Sequence, residues 1–206
     1  MTIKHFLFVV TIVIAALVLV GCFDGKPGST GERLAGSLTE LFQQTLDMDT
    51  GEVSPIEREA IERAIATGRI DTLDYEAAHV RYAQCMIGNG FEPQFRKTPE
   101  GYYINLGLDN NGRDDDMATH WECMKDNAIL DQLFRFQQGN PELFADQRLV
   151  AIQCLRGVGL IDARYTVDDF ERDINYVGDS TFPFSEYDEV ANNCLFYAGY
   201  AFYQID

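Results

Sequence analysis

Gln84-Cys85-Met86-Ile87-Gly88-Asn89-Gly90 recurs later in the chain as Gln153-Cys154-Leu155-Arg156-Gly157-Val158-Gly159. Both copies read Gln-Cys-apolar-x-Gly-x-Gly, and each closes an apolar run of helical spacing, which makes the glycines helix stops. A further cysteine follows each copy at nearly the same distance, Cys123 at 38 positions beyond Cys85 and Cys194 at 40 beyond Cys154. The pattern predicts two tandem disulfide-closed helical units in one domain. The expected fold class is mainly α with a small β-hairpin (α+β).

The first residues stand apart from this plan. Lys4 and His5 precede Phe6 to Val20, an uncharged apolar stretch that ends in Leu19-Val20-Gly21-Cys22. A short apolar run closed by small residues is a secretory signal. A spanning anchor is the alternative, but it needs about 20 apolar residues. Leu-x-Gly-Cys resembles the signal of bacterial lipoproteins, which implies removal of residues 1–21 and a lipid on the Cys22 sulfur. Residues 22–32 then form a flexible tether of Gly, Ser and Pro composition, followed by an α-rich domain over 33–206, with unit one about 72–139 and unit two about 141–206. Without Lys4 the chain keeps 15 basic against 33 acidic residues, a net charge of −18. Such a surface repels nucleic acid and anionic head groups. It suits a cationic peptide or divalent ions, or serves solubility alone.

With Cys22 given to lipid, four cysteines remain. In an oxidising compartment they form two disulfides in one of three pairings. The repeat selects Cys85–Cys123 and Cys154–Cys194. Closing loops of this size contributes roughly 4 kcal/mol each in the chain-entropy model, a large share of a folding stability of about 5–15 kcal/mol.

Leu34, Leu38, Leu41, Phe42 and Leu46 predict a helix within 33–48. Ser54-Pro55-Ile56-Glu57 starts the next, as a capping box with proline in the first turn. Ile56, Ala60, Ile61, Ala64 and Ile65 form its stripe, and Gly68 ends it. Thr72 is the expected cap of a third helix carrying Tyr75, Ala78, Tyr82, Cys85 and Met86 on one face. Residues 91–106 alternate in polarity about Lys97-Thr98-Pro99-Glu100-Gly101, a β-hairpin signature. One long helix is expected over 116–138, with Met117, Trp121, Met124, Ala128 and Phe134 on its buried side. In unit two, a helix carries Leu149, Val150, Ile152 and Cys154. Thr166 starts another, and Ser185 caps a last one running from Glu186 to about Tyr200.

The run Cys85-Met86-Ile87-Gly88-Asn89-Gly90, the extended segment Phe91 to Leu106 and the closing Trp121-Glu122-Cys123 resemble cell-surface lipoproteins of actinobacteria built from Cys-Met-x-x-x-Gly … Cys helix-hairpin-helix units. Glu62 to Ile70 and Asp74-Tyr75 are similar to the same chains. The likeness covers about residues 54–170, and unit two departs from it by lacking a hairpin. It implies an exported, α-rich, disulfide-held domain on the outer face of the membrane and supplies no catalytic residue.

Catalytic chemistry finds little to use. Beyond the leader the histidines are His79 and His120, expected as partly exposed helix residues, or else facing each other across the first disulfide. No Gly-x-Ser-x-Gly elbow and no Cys-x-x-Cys is present. Asp109-Asn110-Asn111-Gly112-Arg113-Asp114-Asp115-Asp116 misses the calcium-loop order, with Arg113 at a ligand position and Asp114 where glycine belongs. Its acids suit a helix N-terminus. No metal or cofactor is therefore expected. Aromatic residues are the remaining candidates for ligand binding: Tyr102, Tyr103, Trp121, Tyr197 and Tyr200. Tyr102 and Tyr103 must point to opposite faces of a strand, while core packing accounts for most of the other rings. These features favour a non-enzymatic binding or accessory protein held to the membrane through Cys22, its partner a cationic peptide or a membrane-protein complex. The alternative is an envelope glycan hydrolase using Asp and Glu carboxylates.

Overall fold

Serine, proline and glutamate at 54–57 do locally what their order predicts. In the computed structural model, which describes residues 31–109, 116–174 and 181–200, Ser54 Oγ accepts from Glu57 N and Glu57 Oε2 accepts from Ser54 N. This capping box opens α2 (Pro55–Thr67), which Gly68 closes in the left-handed region at φ 81°. Helix α1 (Leu38–Asp47), capped by Ser37, packs against it. The leader, Cys22, the calcium-like loop over 110–115 and Ala201 lie outside the described residues. Glu32, at the end of the expected tether, already accepts a hydrogen bond from Ala145 N at 2.9 Å.

Helix α3 (Thr72–Gly88) leads into a two-stranded antiparallel hairpin of β1 (Glu92–Lys97) and β2 (Tyr103–Asp109). Its cap is Asp71, which accepts from Leu73 N; Thr72 is the first helical residue. The hairpin turn closes through Thr98, whose carbonyl accepts from Gly101 N and whose amide donates to Tyr102 O. Gly101, at φ 91°, supplies the left-handed residue that this turn requires. A bulge sets Gln94 opposite Gly107 and Phe95 opposite Asn105.

The single helix expected over 116–138 is two, α4 (Asp116–Met124) and α5 (Ala128–Gly139). The break has a tertiary cause. Glu57 is fully buried, and its Oε1 accepts from Ile129 N and Leu130 N, so a carboxylate of α2 caps the start of α5. Ile56, expected in the buried stripe of α2, is 43% exposed instead. On α4, Met117 and Trp121 are likewise 60% and 62% exposed, against expectation.

Unit two comprises α6 (Gln147–Gly157), α7 (Val167–Ile174) and α8 (Glu189–Tyr197). Thr166 starts α7 by a reciprocal pair with Asp169, as its sequence predicts. The cap of α8 is Asp188, accepting from Val190 N and Ala191 N, and the helix begins later than Ser185 suggests. Disulfides join Cys85 to Cys123 and Cys154 to Cys194, in the pairing that the repeat selects.

Two main cores result. One gathers Phe42, Ile61, Tyr75, Ile104 and Phe134 from α1, α2, α3, the hairpin and α5. The other gathers Val150, Leu155, Phe170 and Leu195 from α6, α7 and α8. They are tied together. Tyr197 of α8 packs in the first core, and Arg96 of β1 donates to Asn193 Oδ1 at 2.6 Å and to Asn192 Oδ1 at 2.9 Å. Among the described residues, no helix is long and apolar enough to cross a membrane.

Candidate functional site

Helix periodicity places Tyr75, His79 and Tyr82 of α3 on one side, facing the hairpin and α5. Tyr75 is fully buried and stacks on Phe134 at 3.9 Å, and its hydroxyl accepts from Tyr103 N. His79 lies parallel to Tyr103 at 3.8 Å between ring centres and meets the edge of Phe95 at 4.3 Å. Tyr82 Oη and His120 Nδ1 share a hydrogen bond at 2.8 Å. Together these rings wall a small cavity of about 130 Å³.

Asp131 of α5 also lines the cavity. Its Oδ2 accepts from Tyr102 Oη at 2.8 Å and its Oδ1 from Tyr75 Oη at 3.2 Å. Enclosure among rings pushes its carboxyl up to about 6, although both phenol donors and the nearby Arg135 pull the other way. Desolvation disfavours the charged form, so the same enclosure pushes Tyr82 up to about 12 and His79 down to about 4. His79 is therefore neutral near pH 7. Among the described residues no lysine or arginine is ion-paired with Asp131, whereas the buried Asp173 of unit two has Arg172 at 3.0 Å.

Asn127 completes the wall. It stands at the cap position of α5 but makes no capping hydrogen bond, because Glu57 already serves that helix end. Its residue exposure is 3%, and its Oδ1 has no partner.

Of the five aromatic residues singled out by sequence, Tyr102 and Tyr103 line this cavity. Trp121 stands beside it, with its ring 5.2 Å from that of His120. Tyr197 does not line the cavity: its hydroxyl bonds Thr98 Oγ1 and Glu100 Oε2. Tyr200 is in the second core, 5.3 Å from Phe170. The two histidines do share a cavity, but His79 is buried, 8% exposed, rather than a partly exposed helix residue. Sequence reading missed Asp131 and Asn127, and it did not put His79 among the ligand-binding candidates. The available signals were His79 at four residues beyond Tyr75, and a carboxylate at 131 between the apolar positions 128 and 134. Among the described residues no group of three or more His, Cys, Asp and Glu side chains is placed to hold a metal ion.

The chain matches no protein-family model, no curated protein and no solved structure.

Proposed function

We propose that this chain is a lipid-anchored extracytoplasmic binding protein, non-enzymatic, held at the outer face of the cell membrane through Cys22. The leader and Leu19-Val20-Gly21-Cys22 support the anchor, and two disulfides accord with an oxidising compartment. The observation that carries the binding role is the ring-walled cavity with one carboxylate, Asp131, among its described lining residues. A concave, mostly apolar lining with a few convergent polar groups is the usual form of a ligand pocket; at about 130 Å³ this one is smaller than most. The net charge of −18 beyond the leader favours a cationic partner, a basic peptide or a basic face of a membrane-protein complex.

Crosslinking in intact cells followed by mass spectrometry tests this reading. Recovery of a partner that dissociates as salt is raised supports it. Failure to recover any partner, together with hydrolysis of wall glycans by the purified protein, overturns it.

One observation favours the second reading, an envelope glycan hydrolase. A carboxyl held at about 6 in an apolar pocket has the properties of a general acid. Glycoside hydrolysis ordinarily uses two carboxylates, and Asp131 is the sole one among the described residues that line the cavity. Turnover that disappears in Asp131→Asn would establish the hydrolase.

A further inference from the structure

The two disulfides occupy equivalent places in the repeat but hold very different helices. Cys194 closes unit two from α8, where Ala191, Asn192, Leu195 and Tyr197 are buried with it. Cys123 closes unit one from α4, and among the described side chains of that helix it alone is buried. On the same helix Met117 and Trp121 stand mostly in solvent. His120 and Met124 are half-buried, and both line the ring-walled cavity. Besides the disulfide, the Tyr82–His120 hydrogen bond ties α4 to α3. A helix of nine residues is marginal without tertiary packing, and α4 buries little.

The sulfurs differ too. Each bridge has one partly exposed cysteine, Cys85 and Cys154, so access alone does not separate them. The residue four positions further on does. Asn89 ends α3, with its side-chain amide nitrogen 3.9 Å from the sulfurs of both Cys85 and Cys123. Val158 stands at that place in the second copy and brings no donor, although its backbone is the same: φ −93° and ψ 4°, against −92° and 3° for Asn89. An N–H donor beside a sulfur favours the thiolate, and a more stable thiolate leaves a disulfide faster.

We propose that Cys85–Cys123 is a reducible latch that holds α4 against the cavity, whereas Cys154–Cys194 is a permanent staple. The co-reactant is a dithiol. One of its thiolates attacks the partly exposed Cys85 Sγ and forms a mixed disulfide. The S–S bond breaks, and Cys123 leaves as a thiolate beside the Asn89 amide, to be protonated from water. The second thiol of the reductant attacks its own sulfur in the mixed disulfide and releases Cys85 as a thiol. The bridge gains two electrons and two protons; the dithiol loses the same and becomes a disulfide. Released α4 takes His120 and Met124 out of the cavity wall, and the cavity opens. Control of ligand entry in this way rests on the binding role proposed above, while the latch itself does not.

The test uses the full lipidated chain in detergent micelles with limiting dithiothreitol at pH 7.5. Samples are quenched with iodoacetamide at intervals, and alkylation of each cysteine is read by peptide mass spectrometry. Cys85 and Cys123 should be alkylated about tenfold faster than Cys154 and Cys194. Asn89→Val, which takes the residue of the second copy, should slow reduction of the first bridge about threefold and leave the second unchanged. Trp121 is the single tryptophan, so its fluorescence anisotropy should fall in step with loss of the first bridge and recover on reoxidation. Hydrogen exchange over 117–124 should accelerate on reduction about tenfold more than in α5. Cys85→Ser/Cys123→Ser reproduces the released state for the same exchange measurement. If that variant does not fold, the reduction rates of the parent and of Asn89→Val carry the test. Equal reduction rates of the two bridges, a first-bridge rate unmoved by Asn89→Val, or acceleration of α4 and α5 by one common factor each overturns the latch. These readouts need no ligand, so their failure leaves the binding role standing. Failure to capture a partner in cells removes that role and leaves the latch.

Discussion

Burial acts on His79 and Asp131 in opposite senses, and the two share one cavity. The His79 ring is lowered from 6.5 to about 4, first by desolvation and then by Lys97, against the opposing pull of Glu76. Its stabilising contribution is present above 6.5 and lost as pH falls through 4, a difference of about 3 kcal/mol. The Asp131 carboxyl is raised from 3.8 to about 6 by desolvation. Its contribution is present below 3.8 and lost as pH rises through 6, again about 3 kcal/mol. Between pH 4 and 6.5 the two nearly cancel, and each variant exposes the other. Asp131→Asn should unfold at higher temperature than the parent at pH 7.5, and should then lose stability steeply on acidification from 6.5 to 4. His79→Gln should show the mirror trend, gaining stability over the same interval. Thermal melts at half-unit pH steps check both; parallel curves for parent and variants would show that neither group titrates in this window. The sequence shows Tyr102 and Tyr103 through strand alternation. It shows Asp131 and Asn127 only as polar residues on a helix, because their partners come from α2, α3 and the hairpin.

Helix α5 is the element on which the site depends, and both its ends are fixed by residues far away in sequence. At its start Glu57 holds Ile129 N and Leu130 N while completing its own capping box. Glu57→Ala would leave three backbone amides without that partner and should cost roughly 3 kcal/mol, read as a lower urea midpoint with an unchanged slope. It should also free the Asn127 side chain to cap α5. At its other end Gly139 touches α8 so closely that an added Cβ would lie 2.2 Å from Tyr197 Cβ and Cγ. Gly139→Ala improves intrinsic helix propensity, yet overpacking dominates at this distance, and a loss of roughly 1–3 kcal/mol is expected in the same urea assay. An unchanged midpoint would mean that α8 moves away without cost. These contacts explain what could be read beforehand. The capping boxes at Ser54 and Thr166 are legible because donor and acceptor lie three residues apart. The break between α4 and α5 carries no glycine or proline at Lys125-Asp126-Asn127, and its cause is a carboxylate some 70 positions away, with the Glu57–Ile129 separation at 72.

The repeat of Gln-Cys-x-x-Gly-x-Gly suggests two modules, but the contacts between them make one body. Tyr197 of α8 reaches the hairpin turn through Thr98 and Glu100, and Arg96 of β1 reaches back to Asn192, Asn193 and Glu189. Asn140, 1% exposed, clamps the crossover by accepting from Phe144 N and donating to Phe144 O. A cooperative unit in this sense unfolds as a whole, and local disulfide loss should then be felt at a distance. The Cys154→Ser/Cys194→Ser double variant opens the second loop and should lower global stability by about 4 kcal/mol. If the units are coupled, hydrogen exchange of the slowest amides in α3 accelerates by the same factor as those in α6, although α3 contains no altered residue. Arg96→Ala in the parent background removes the hydrogen bonds to Asn192 and Asn193 without touching either disulfide, and should make the two helices exchange at different rates. Loosening of α6 alone in the serine variant, with α3 unchanged, would show that the units fold independently and that the contacts of Tyr197 and Arg96 are surface adhesion rather than a shared core.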